Sequence, residues 1–156
     1  MSPVTAPTTL YEAAGGAAGV QALAEAWHRR VVADEVVGHA FRPGVDPHHT
    51  ERLAAYWGEA LGGPPTFSTG YGDASSVVRR HSGNGEHEEL DTRAVACFDA
   101  ALDEVGIGRA SRLHRVLHDY FAWATTVTMS SYPRSPDDVP DGLGLMRWSW
   151  DGRVKG

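Results

Sequence analysis

Eight histidines stand out in this 156-residue chain: His28, His39, His48, His49, His81, His87, His114 and His118. Imidazole can ligate a transition metal, donate to a bound ligand and move protons near neutral pH. His28 lies on the edge of an apolar helical stripe, and His49 shares a helical face with Leu53 one turn later. His81 follows Arg79-Arg80, which by itself reads as a surface histidine. His114 and His118, also one turn apart, could hold a stray metal, but an exposed face is the expectation. A hydrolytic metal site from His48, His49, His81 and His87 would lack both a ligand motif and a paired carboxylate. The single cysteine, Cys97, excludes an internal disulfide and any Cys-rich zinc or iron–sulfur site. As a small apolar side chain it suits a core position.

The elements that must position these residues follow from periodicity and stop signals. Thr9-Leu-Tyr-Glu12 reads as a capping box for a short helix stopped by Gly15-Gly16. Val20, Leu23, Ala24, Trp27 and Val31 predict a helix over about 20–33. Asp46-Pro47 is a start signal for the next, which carries His49, Leu53, Tyr56, Trp57 and Ala60 to Gly62-Gly63-Pro64-Pro65. Thr66–Ser76 reads as a long loop, a kind of segment that tends to be functional, with one helical turn at Val77–Ser82. Two further helices are expected over about 86–105 and 109–131. No segment alternates as a strand, so the fold class is all-α. Composition is that of an ordinary soluble globular protein, with 42% hydrophobic and 22% charged residues. The net charge of −6 argues against nucleic acid and against a polybasic membrane contact. No apolar run is long enough to span a bilayer, and Met1–Thr9 lacks the make-up of a signal peptide. With one cysteine, these features lead us to expect a cytoplasmic protein.

Five motifs in order resemble the truncated haemoglobins, group II above all. They are Leu10-Tyr-Glu-Ala-Ala-Gly-Gly16, Asp34-Glu-Val-Val37, Glu51-Arg-Leu53, Gly62-Gly-Pro64 and Arg79-Arg-His81. The likeness runs from about Leu10 to Met129. It implies a two-over-two helical sandwich around haem b, with the proximal helix reduced to a loop and one turn. Residues 1–9 would then be a flexible leader, 10–131 the truncated globin domain, and 132–156 an extension either packed on the body or mobile. Trp148 and Trp150 favour docking, because exposed indoles cost solubility.

The resemblance assigns roles residue by residue. His81 matches the iron ligand; Arg80 and Arg52 match positions suited to the haem propionates. Phe41 matches the aromatic wedge against the haem, where group II proteins often have tyrosine, and Leu53 the apolar packing above it. Three departures follow. His28 stands where the family usually has tyrosine, His49 where a small residue is common, and Ala94 where a ligand-binding tryptophan is usual. The expectation is therefore a space above Ala94 and a distal pocket whose polar groups are two imidazoles. They could donate to a ligand on iron, shuttle a proton or ligate the iron themselves. The expected partners are oxygen, nitric oxide or carbon monoxide, or peroxide with a small organic substrate and a redox partner. The function implied is a haem protein with oxidase- or peroxidase-type chemistry. A haem-based sensor or interaction module, or a simple oxygen-binding globin, is the alternative.

Overall fold

Thr9 accepts a hydrogen bond from the Glu12 amide at 3.1 Å and opens α1, Leu10–Ala13. In this computed structural model, residues 8–40, 48–83, 88–129 and 131–154 are described. Phe41, the Asp46-Pro47 signal, His87 and the leader before Thr8 lie outside them. Gly15, with φ +103°, turns the chain directly into α2, Gly16–Ala33, so this helix starts earlier than its apolar stripe. Asp34 accepts from the Val36 and Val37 amides at 2.9 and 3.0 Å and opens α3, Val37–Ala40. Those bonds, the one from Val37 foremost, hold its carboxyl below the usual range.

The second half of the chain builds on α4, His49–Ala60. The corner after it is tight: the Tyr11 amide donates to Leu61 O at 2.9 Å. A Cβ at Gly63 would lie 2.7 Å from both the Gly58 carbonyl and the Tyr11 ring. The predicted loop Thr66–Ser76 is instead largely helical, with α5 at Thr66–Gly70 and the start of α6, Ala74–Arg80. The cause is a buried carboxylate on α4. Glu59 accepts from Ser68 N at 2.9 Å and Ser68 Oγ at 2.5 Å, docking α5 onto it. Then come α7, Glu88–Glu104, and α8, Arg112–Trp123, the latter capped by Ser111. α8 runs on as a π-turn, Ala124–Thr128.

These helices pack as an all-α sandwich, the arrangement that the resemblance implies. α2 packs on α4 and α7, and α7 pairs with α8. Where they meet, Trp27, Trp57, Phe98 and Phe121 form one aromatic cluster. Most of its pairs are edge-to-face with centroids 5.3 to 5.8 Å apart. Phe98 and Phe121 stack at 4.2 Å, joining α7 to α8. Beyond α8 the chain forms a short helical turn, Pro136–Asp138, and a two-stranded antiparallel hairpin, β1 (Trp148–Ser149) and β2 (Gly152–Arg153). Strands of two residues are too short to show alternation, which is why the sequence reads as strandless. Among the described residues, no helix is long and apolar enough to cross a membrane.

Candidate functional site

α6 exists because Asp73 caps it, accepting from the Ser76 amide at 2.9 Å, and because Ala74, Ser75 and Val78 are buried. His81 occupies its C-cap position and is exposed. Its Nδ1 lies 2.8 Å from the Val77 carbonyl one turn back. A carbonyl only accepts, so Nδ1 carries the proton, and in the neutral ring Nε2 carries the lone pair. That is the tautomer and orientation expected of a metal-ligating histidine. Arg80 is exposed and forms no ion pair among the described residues, whereas Arg79 turns away to Asp141 and the Val139 carbonyl. The Arg52 guanidinium lies over the Tyr71 ring, 5.8 Å from its centroid.

A second group forms where α2 meets α4. His28 and His49 approach Nδ1 to Nδ1 at 3.1 Å, with ring centroids 5.0 Å apart. Such a contact is a hydrogen bond when one Nδ1 holds a proton and the other does not. Desolvation lowers the His28 pKa below its ordinary 6.5, favouring the neutral form that the contact uses. Leu53, one turn after His49, packs partly buried against the core.

Ala94 is 4% exposed, and the Trp27 indole N–H donates to its carbonyl at 3.1 Å. An indole from α2 therefore stands beside the alanine. His114 departs from the exposed face expected of it, whereas the His118 side chain stays 39% exposed. His114 is buried with Nε2 3.6 Å from Asp103, and His118 Nδ1 lies 2.7 Å from Asp99. The His118 contact ties α8 to α7, whereas His114 Nε2 lies beyond hydrogen-bond distance of Asp103. No group of three or more His, Cys, Asp or Glu side chains placed to hold a metal ion occurs among the described residues. Two buried tyrosines complete the interior: desolvation pushes the Tyr56 phenol up to about 12 and the Tyr120 phenol well above its ordinary range. The sequence reading missed the Val77 carbonyl and the Trp27 indole. A one-turn spacing to His81 marks the first, but nothing local marks the second.

The donor set fits a haem: an imidazole with its second nitrogen fixed by a carbonyl, and a guanidinium beside it suited to carboxylates. The model of the bacterial-like globin family matches residues 9–125, and the chain belongs to that family. Its fold is similar to that of the group II truncated haemoglobin of Bacillus anthracis, at 18% identity and TM-score 0.72, covering 83% of this chain and 95% of that one. The haemoglobin of the thermophilic phototroph Chloroflexus aurantiacus is 26% identical, with TM-score 0.67 and coverage of 79% and 98%. That of the actinobacterium Thermobifida fusca is 28% identical, with TM-score 0.65 and coverage of 78% and 97%. No curated protein sequence matches the chain. As a globin of this family the protein is a haem protein whose iron binds diatomic ligands such as oxygen.

Proposed function

We propose that this globin performs peroxidase- or oxidase-type redox chemistry, with the His28–His49 pair as its proton relay. In this reading His81 would ligate the iron, Arg52 and Arg80 would hold the propionates, and Leu53 and Ala94 would contribute apolar walls. When bound, the haem would supply a redox-active iron. The single observation that supports the relay is the 3.1 Å contact between the two Nδ1 atoms. Two neutral imidazoles joined in that way keep one Nε2–H and one bare Nε2 between them. A proton taken from one oxygen of a small peroxide by the bare Nε2 displaces the Nδ1 proton across the contact. The partner ring then releases its own Nε2 proton to the other oxygen. The pair returns to neutrality with its tautomers exchanged, and no charge is stranded in the site.

The test is stopped-flow reaction of the ferric protein with hydrogen peroxide, for the native chain, His49→Ala and His28→Ala. A relay of this kind is worth ~10²–10⁴-fold in rate. Rates and oxygen dissociation within about twofold of native in His49→Ala would rule the relay out and leave a simple oxygen-binding globin. A low-spin ferric spectrum turned high-spin by His49→Ala would make that imidazole an axial ligand instead.

A further inference from the structure

We propose that the segment 132–154 braces α6 and that Ser75 and Arg79 are positioning residues for His81; this rests on His81 being the iron ligand. The whole segment lies beyond the residues matched to the globin family, which end at 125. α6 has only seven residues, too few for a helix to persist without tertiary support. Part of that support comes from the extension: among the described elements, the one α6 touches most is the Pro136–Asp138 turn.

The attachment is polar and specific. Ser75 is fully buried, and its Oγ donates to the Pro140 carbonyl at 2.7 Å and accepts from the Leu143 amide at 2.9 Å. Arg79 donates to the Val139 carbonyl at 3.3 Å and pairs with Asp141. Past His81, the Gly83 amide donates to Tyr132 O at 3.0 Å. Gly83 has φ +81°, and a Cβ there would lie 2.8 Å from the Pro136 ring. Ser75 and Arg79 flank Val77, the residue whose carbonyl orients the His81 imidazole. The far end of the extension is anchored on α8, where Trp148 packs edge-on to Tyr120 and against Trp123, each at 5.8 Å. The extension thus spans from α8 to α6, and contacts from outside the globin core add to those that fix the helix carrying the Val77 carbonyl.

Ser75→Ala removes both bonds with little change in buried volume. In the haem-free full-length chain, amide exchange over residues 77–82 should rise about tenfold, the effect of losing hydrogen bonds at one buried site, while exchange at Leu23 and Phe98 stays unchanged. In the haem-loaded ferrous protein, the iron–imidazole stretching band should shift and broaden, and haem transfer to a scavenger should quicken. Asp141→Ala, which removes a side chain that is 95% exposed and cannot unfold the core, should move the same readouts in the same direction but less. Unchanged exchange over 77–82 in both variants, or an equal rise throughout the molecule, would overturn the brace. Faster exchange with an unmoved stretching band would overturn the positioning of His81. His81→Gly separates this from failure of the ligation reading: if its haem spectra match the native protein, ligation is wrong, while exchange in the haem-free chain still reads the brace.

Discussion

At the scale of single residues, the burial of His28 ties pH to stability. The folded His28 pKa lies below its ordinary 6.5, so the unfolded chain binds more protons across the interval between the two values. Stability is therefore fully present above about 6.5 and is lost as pH falls through the lower folded value. The thermal midpoint of the haem-free protein should decline on acidification from pH 7, and His28→Gln should flatten that part of the curve. Parallel curves for the two proteins would mean that His28 titrates alike in both states. His81 provides a separate check. His81→Gly should abolish normal haem incorporation, and added imidazole should restore part of it; unchanged haem content and spectra would reject ligation. Both residues are visible in the sequence as histidines of interest. Their geometry is not, because the Nδ1 contact joins residues 21 apart on different helices.

At the scale of elements, periodicity finds the helices and misses whatever holds the short ones. The stripe Val20, Leu23, Ala24, Trp27 and Val31 marks α2 because each of those residues is buried. α5 has no stripe; it forms because Glu59 on a preceding helix accepts two bonds from Ser68. The π-turn after α8 is equally silent, since its residues read as helix continued. Two substitutions test the packing. Ala94→Trp would force a second indole in beside Trp27, and overpacking of this kind costs ~1–3 kcal/mol. A lower unfolding midpoint is expected; a midpoint equal to native would mean that space is open at Ala94 after all. Gly63→Ala drives a methyl into the Gly58 carbonyl and the Tyr11 ring, so α1 must part from the end of α4. It should also destabilise by ~1–3 kcal/mol in denaturant titration, and a neutral effect would show that this corner can relax.

At the scale of the whole molecule, the extension decides whether the chain unfolds as one unit. Trp148 and Trp150 are conspicuous in the sequence, but their partners are not, because the contacts reach back across most of the chain. The Trp150 indole donates to the Thr8 carbonyl at 2.6 Å, and the Arg112 guanidinium lies 5.3 Å from its ring centroid. Trp148 packs on Tyr120 and Trp123 and is half-buried, with its indole nitrogen buried and lacking a hydrogen-bond partner among the described residues. Full truncation of a buried aromatic costs ~3–5 kcal/mol, so half-burial and an unsatisfied N–H put Trp148→Ala nearer ~2 kcal/mol. Trp150→Ala gives up one hydrogen bond and one exposed cation–π contact, together ~1–2 kcal/mol. Equilibrium denaturation followed by both far-ultraviolet dichroism and tryptophan fluorescence should give one coincident transition in the native chain. In Trp148→Ala the midpoint should fall with the two probes still coincident, because the extension and the helices it joins melt together. If the fluorescence transition instead precedes the dichroism transition in the native protein, the extension melts by itself, and its contacts with α6 and α8 contribute nothing to global stability.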